Sequence, residues 1–152
     1  MPIRIIAIGK KHESWVEEGI ERYRKRLRPP FLVEWVFLPH SLLPGPMARR
    51  EESQRIISKL NTNDFVILLD ERGKMVNSND LAKLLQSKFI CSCEPVIVIG
   101  GAYGVDDSVR RRANFTWSLS DLVFPHQLVR LILIEQLYRA QEIISGGPYH
   151  HE

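Results

Sequence analysis

The segment Trp117-Ser118-Leu119-Ser120-Asp121-Leu122-Val123-Phe124-Pro125-His126-Gln127-Leu128-Val129-Arg130 decides how the chain folds. A small, polar loop closes on Pro125. Apolar residues then fall at 128, 129, 131, 132, 133, 134, 137 and 138. This is a loop feeding a helix, with Pro near the first helical position, where its missing N–H costs nothing. The first turn of such a helix presents unpaired backbone N–H groups that a ligand with polar edges can use. Between 128 and 134 the helix is apolar over far more than a surface helix needs, so both of its faces are expected to be covered. In a chain this short the second cover is read as another subunit. Ligand loop and dimer helix then form one continuous element.

The residues before this segment alternate between strand and helix patterns. Residues 3–8 are a β-branched apolar run ending at Gly9, a first strand. Residues 13–28 have helical spacing, with Trp15, Val16, Gly19, Ile20, Tyr23 and Leu27 on one face, and Pro29-Pro30 stops them. Phe31–Leu38 reads as a second strand. Pro39–Pro46 reads as loop and Met47–Leu60 as a polar helix anchored by Ile56, Ile57 and Leu60. Phe65–Leu69 reads as a third strand, followed by Asp70-Glu71-Arg72-Gly73-Lys74. Ser78-Asn79-Asp80 caps a helix through Leu81, Leu84 and Leu85. Val96–Ile99 is a fourth strand, Asp106–Ala113 a short basic helix, and Phe115–Leu119 a fifth strand. The last helix runs to about Ser145 and stops at Gly146-Gly147-Pro148. Five strands alternating with about five helices give an α/β domain, with a mainly parallel sheet covered on both faces. Ligands bind such sheets at the carboxyl ends of strands. Three ends stand out: Leu69-Asp70, Gly100-Gly101 and Leu119-Ser120.

A length of 152 residues fits one domain with a real core, and 44% hydrophobic with 26% charged residues is ordinary globular composition. No apolar run approaches a membrane span, and the first ten residues are too short and strand-like for a signal peptide. Cys91 and Cys93 are expected to be reduced thiols of a cytoplasmic protein. They lack the second cysteine pair of a zinc site, so no metal is expected. The net charge is only +3, but Arg22, Arg24, Lys25, Arg26 and Arg28 form one basic group and Arg110, Arg111 and Arg112 another. Such clusters suit a phosphate backbone, and equally a solvated helix face balanced by Glu13, Glu17, Glu18 and Glu21.

The motifs admit two readings each. Gly100-Gly101-x-x-Gly104 is neither a dinucleotide fingerprint nor a phosphate loop ending in Gly-Lys-Ser/Thr. It is a tight turn, or a place where backbone passes close to a ligand. Asp70-Glu71-Arg72-Gly73-Lys74 is a solvated turn or an acid–base pair. There is no Gly-x-Ser-x-Gly elbow, which disfavours a serine hydrolase. His126 at a helix start reads as structural. Tyr149-His150-His151-Glu152 is a frayed tail, or one that docks.

Taken together, Val98-Ile99-Gly100-Gly101, Ser118-Leu119-Ser120, Phe124-Pro125-His126-Gln127-Leu128-Val129-Arg130, Glu135-Gln136-Leu137-Tyr138-Arg139-Ala140 and Pro148-Tyr149-His150 resemble the ribosomal RNA large-subunit methyltransferase H family of the SPOUT superfamily. The resemblance spans the chain, from the first strand through Gly9-Lys10 and Leu69-x-x-x-Gly73-Lys74, and is most specific in the last third. It implies a single SPOUT domain over 1–152 with a C-terminal trefoil knot, a feature otherwise nearly absent from proteins. It implies a homodimer through the last helix. It places S-adenosylmethionine on Leu69, Gly100, Leu119, Ser120, Asp121, Leu122, Val123 and Phe124, with no metal, because the sulfonium already makes the methyl electrophilic.

The reaction so implied is methylation of N3 of a pseudouridine in large-subunit ribosomal RNA, within the assembled ribosome. That nitrogen carries a proton, which must be removed while the reacting atoms are aligned. The expectation is that Tyr149 and His150 lie over the cofactor from the other subunit, one subunit binding the cofactor and the other contributing the tail and basic surface. His150 is the better base by the ordinary pKa of imidazole, and Arg139 orients the substrate or its phosphate. Family members often carry arginine or lysine after the Tyr-His pair, where this chain has His151. The alternatives are a non-catalytic ribosome- or RNA-binding protein that keeps the fold, and a nucleotide-binding oxidoreductase. The absent glycine fingerprint counts against the latter.

Overall fold

The strands are continuous apolar runs because both faces of the sheet are buried. In the computed structural model, which describes residues 2–151, strand β1 (Ile3–Ile8) sends Ile3, Ile5 and Ala7 to one face and Ile6 and Ile8 to the other. Met1 and Glu152, the ends of the expected 1–152 domain, lie outside the described residues. The remaining elements follow in order: α1 (Ser14–Arg24), β2 (Val33–Leu38), α2 (Gly45–Ser58), β3 (Asp64–Lys74), α3 (Ser78–Ile90), β4 (Glu94–Ile99), α4 (Asp107–Arg112), β5 (Phe115–Trp117) and α5 (His126–Ser145). The strands form one five-stranded sheet in the order β2-β1-β4-β3-β5, and every pairing is parallel.

Two apolar cores flank this sheet. On one face Ile5, Ile67 and Ile97 meet α1 (Val16, Ile20), α3 (Leu81, Leu85) and α5 (Leu133, Leu137). On the other, Val66, Leu68, Val96 and Val98 meet α2 (Ile56) and α4 (Val109). The expected α/β class with both faces covered is therefore the observed one. Among the described residues no helix is long and apolar enough to cross a membrane. Cys91 and Cys93 are free thiols with their sulfurs 2.8 Å apart.

Several boundaries differ from the sequence expectation, each for a tertiary reason. Helix α1 stops at Arg24, short of Pro29, because buried Gln141 of α5 takes over the next backbone groups. Its amide accepts the Arg28 N–H at 2.7 Å and donates to Arg26 O at 3.1 Å. Trp15 does not share the buried face: it is 53% exposed, with its indole N–H on Glu13. Helix α2 starts two residues early, at Gly45, with Pro46 in its first turn. Its buried face is Ala48, Glu52, Ser53 and Ile56, so polar residues carry half of an anchor expected to be aliphatic.

The segment Asp70–Lys74 is not a turn but the continuation of β3, which re-pairs with β5 across an irregularity, Lys74 opposite Trp117. Helix α3 is capped by Asn77, whose side chain accepts the Asp80 N–H at 2.8 Å, rather than from within Ser78–Asp80. Strand β5 ends at Trp117, two residues before Leu119. Helix α5 begins at His126 with Pro125 as its N-cap, and ends on Gly146 at φ +74°, the left-handed conformation that glycine adopts without strain.

Candidate functional site

The carboxyl ends of β3, β4 and β5 enclose a cavity of about 390 Å³. Of the residues expected to hold a cofactor, Leu69, Gly100, Leu119, Ser120, Leu122, Val123 and Phe124 line it. Asp121 does not, and is exposed. The three strand ends singled out in the sequence thus converge on one place.

Local geometry explains how. After β4 the chain folds into a tight turn, with the Gly104 N–H on Gly101 O at 3.0 Å and Gly104 at φ +74°. The crowding that demands glycine comes from the protein itself. A Cβ on Gly100 would stand 3.0 Å from Val105, and one on Gly101 2.5 Å from Glu52 Oε1. The turn reading therefore holds, while Gly100 also borders the cavity. After β5, the Ser118 N–H donates to Lys74 O at 3.0 Å, and the Ser120 hydroxyl accepts the Leu122 N–H at 3.0 Å. This bends the loop so that Leu122 and Val123 project outward, 70% and 82% exposed.

Three residues near the cavity escaped the sequence reading of function. His126 lines it. Burial first, and then the Arg130 cation, lower the His126 pKa, with Glu52 opposing, so the ring is neutral at pH 7. Arg130 is 2% exposed, donates to Lys10 O at 2.8 Å, lies over the Phe37 ring at 5.3 Å, and approaches His12 Nδ1 at 3.5 Å. Burial and Arg130 together push His12 down to about 4. Glu52 is 3% exposed and accepts the Ser41 N–H through Oε2, while its Oε1 has no partner. One signal was available: a charge inside an apolar helix, as at Arg130, has to be satisfied by something specific.

The expected catalytic residues gather elsewhere. The tail is docked on α5, with the Tyr149 hydroxyl donating to Glu135 Oε2 at 2.8 Å. Arg139 Nη2 reaches the same oxygen at 2.7 Å, its guanidinium stands 4.7 Å from the Tyr149 ring centre, and its Nη1 donates to His150 Nδ1 at 3.1 Å. Burial and the Glu135 hydrogen bond raise the Tyr149 pKa far above its ordinary value, which leaves it a donor rather than a base. Burial pushes the Glu135 pKa up, but hydrogen bonds from Arg139 and Tyr149 outweigh it and the net shift is downward. Because an arginine only donates, His150 Nδ1 is the accepting nitrogen and the neutral ring carries its proton on Nε2.

Tyr149, His150 and Arg139 thus come together around Arg139, with Glu135 as an unforeseen acceptor for Arg139 and Tyr149. None of them lines the cavity. His150 instead borders a second cleft with Asn77, Ile132 and Gln136, and Trp117 and Leu119 are common to both. A third groove runs between α1 and α5, where Trp15, Leu128, Leu131 and Ile132 lie beside Arg22, Lys25 and Arg26. Among the described residues no three His, Cys, Asp or Glu side chains cluster as metal ligands would.

Comparison with known proteins follows the same lines. A family described as "Predicted SPOUT methyltransferase" matches residues 1–150. A protein of Acetivibrio thermocellus named "Ribosomal RNA large subunit methyltransferase H" is 42% identical, over 99% of each chain. Proteins of the same name from Natranaerobius thermophilus and Francisella philomiragia are 39% and 38% identical, each over 99% of this chain and 100% and 99% of theirs. Among solved structures, a probable methylase family protein from Haemophilus influenzae superposes with a TM-score of 0.58 at 13% identity, covering 99% of this chain and 70% of its own. That likeness concerns the fold alone.

Proposed function

Because the chain belongs to the SPOUT methyltransferase family, we propose that it methylates N3 of a pseudouridine in large-subunit ribosomal RNA, in the assembled cytoplasmic ribosome, with S-adenosylmethionine as donor and as a homodimer. The observation that carries the reading is the cavity on the ends of β3, β4 and β5, bordered by Leu69, Gly100 and the 119–124 loop. Its residues fit the donor. The walls are apolar at Leu119, Leu122 and Phe124, as an adenine needs, and charged at Asp70 and Arg110, as an amino-acid group needs. When bound, the donor supplies a methyl group made electrophilic by its sulfonium. The trefoil knot belongs to the same proposal, supported by the sheet order β2-β1-β4-β3-β5 and by the 100–104 and 119–124 loops meeting over one cavity.

The chain's own residues do the rest. Loop 119–124 holds the nucleoside through backbone groups, and Leu122 and Val123 exclude water once covered. His150 takes the N3 proton through Nδ1, the nitrogen that Arg139 covers in the free chain. Arg139 therefore has to turn toward the substrate for the base to be released, which couples substrate positioning to base activation. Since Tyr149, His150 and Arg139 do not reach the cavity of their own chain, the tail of a second copy serves it. The groove between α1 and α5, where Trp15, Leu128 and Leu131 lie among charged side chains, supports that pairing.

The test is transfer from methyl-labelled S-adenosylmethionine to unmethylated assembled ribosomes, to separated large subunits and to naked ribosomal RNA. Label on one pseudouridine of the large-subunit RNA, in the assembled particle, is expected. No label on any of the three, with S-adenosylmethionine still bound, would overturn the substrate. Failure to bind it would overturn the enzyme and leave a ribosome-binding protein.

A further inference from the structure

Among the polar and charged residues on the cavity wall, which include Glu71, Arg72, Ser120 and His126, two are joined to each other. Asp70 of β3 and Arg110 of α4 are joined Oδ2 to Nη1 at 2.6 Å, and both are largely buried. Asp70 Oδ1 also accepts the Arg72 N–H at 2.9 Å, and Arg110 Nη2 donates to Val105 O at 3.4 Å. Each group is thus oriented before any ligand arrives. Each also keeps unused capacity, because a carboxylate has about four acceptor positions and a guanidinium five donors.

As a mere pin between β3 and α4 the pair is poorly explained. A desolvated ion pair adds little net stability, and α4 is already held by its Asp106 cap and by buried Val109. A ligand carrying adjacent ammonium and carboxylate groups accounts for it better. Its ammonium on Asp70 and its carboxylate on Arg110 would close a ring of four alternating charges. The ring leaves no net charge on a pair that is largely buried, where an unbalanced charge costs most.

We propose that Asp70 and Arg110 form the subsite for the α-ammonium and α-carboxylate of the donor's methionyl end, leaving the apolar wall at Leu119–Phe124 to the nucleoside. The proposal rests on the reading of this cavity as the donor site, and it fixes which way round the donor lies. The two charges divide the work: Arg110 recognises the carboxylate and Asp70 the ammonium.

Calorimetric titration with three ligands separates these roles. S-adenosylhomocysteine has the whole amino-acid end, its decarboxylated thioether S-adenosyl-3-thiopropylamine keeps the ammonium alone, and 5′-methylthioadenosine has neither. Arg110→Ala is expected to weaken S-adenosylhomocysteine about 10- to 100-fold, the range of a charge-assisted hydrogen-bond pair. It should change the other two less than about threefold on the same scale. Asp70→Asn is expected to weaken the decarboxylated ligand about tenfold and to spare 5′-methylthioadenosine. Arg110→Lys should recover part of the S-adenosylhomocysteine affinity, and Lys83→Gln, on the exposed face of α3 away from the cavity, should alter none. Equal weakening of all three ligands by Arg110→Ala would make the pair a structural pin and overturn the proposal, as would no change in either variant. Wild-type protein that binds 5′-methylthioadenosine as tightly as S-adenosylhomocysteine would overturn the subsite while leaving the donor cavity intact. Wild-type protein that binds none of the three would overturn the donor cavity and the subsite together.

Discussion

Gly73→Ala tests the junction on which the 119–124 loop hangs. A Cβ at position 73 would lie 2.5 Å from Thr116 O, 2.6 Å from Thr116 C and 2.7 Å from Trp117 N. That is about 1 Å inside ordinary carbon contact, and all three atoms are backbone, so no side chain can rotate away. Overpacking of this kind costs about 1–3 kcal/mol. Opening β3 from β5 also weakens the Ser118 N–H to Lys74 O bond, worth about 1 kcal/mol. Alanine restricts the unfolded chain and returns about 0.4–1 kcal/mol, so the net loss is about 2 kcal/mol. Gly146→Ala is the contrast: position 146 has φ +74° and open space around it. Its cost is conformational only, about 1–2 kcal/mol before the same offset of about 0.4–1. Urea midpoints at fixed protomer concentration measure both. Only Gly73→Ala should also weaken S-adenosylhomocysteine, because Ser118 leads directly into the cavity loop. Gly73→Ala with wild-type midpoint and affinity, or a larger loss in Gly146→Ala, would refute the reasoning.

Glu135→Ala removes the acceptor shared by Arg139 and Tyr149. It should free the tail locally, by about 2 kcal/mol for charge-assisted bonds at a partly buried site. Limited proteolysis within residues 146–151 should speed up about 30-fold by that figure, with the global midpoint nearly unchanged; a tail still resistant sinks the prediction. His12 has its folded pKa lowered to about 4 from 6.5. The unfolded chain therefore binds the extra proton first: stability is flat above about pH 6.5, falls as pH drops from there to about 4, and levels below. His126 shifts in the same direction and adds to the fall. Urea midpoints of wild type and His12→Gln between pH 7 and pH 4 should converge at low pH, and parallel curves would count against it. Asn77→Ala loses the α3 cap and about 1 kcal/mol, without changing S-adenosylhomocysteine affinity; a changed affinity would mean that α3 shapes the donor cavity.

The parallel α/β sheet could be read from the chain because its strands are apolar runs and its ligand loops follow directly on them. Gly100 and the 119–124 loop were legible for that reason, and the family motifs sharpened their roles. The extension of β3 was not. Asp70-Glu71-Arg72-Gly73-Lys74 has the composition of a turn, and only its pairing with Trp117 and the close approach of Thr116 make it a strand. The buried face of α2 was equally hidden, since Glu52 and Ser53 carry no apolar periodicity. They are held instead by single hydrogen bonds to the Ser41 and Asp106 N–H groups. Glu135 enters the sequence reading only within a family motif, because its partner Tyr149 lies fourteen residues away. Which residues share an acceptor is decided by where the tail returns, and no local pattern encodes that.

Trp117 and Leu119 stand between the two halves of the proposed chemistry. On one side they wall the donor cavity, and on the other they border the cleft that holds His150. Within one chain, then, a donor in the cavity faces no base from its own tail, and the tail's accepting nitrogen is covered by Arg139. Under the proposed assignments, a single chain binds the donor without reacting. Under the proposed pairing, the catalytic tail arrives only when a second copy occupies the groove of Trp15, Leu128 and Leu131 beside α5. The same helix carries the cavity residues His126 and Val129 at its start and Glu135 and Arg139 further on. Under that pairing, the packing of the two α5 helices across the interface sets the distance between donor and base. A heterodimer of a copy lacking tail residues 149–152 and a copy with Asp70→Asn and Arg110→Ala should recover one working site, which neither variant has as a homodimer. No recovery, with both chains folded and associated, would place the tail over its own cavity and refute the shared site.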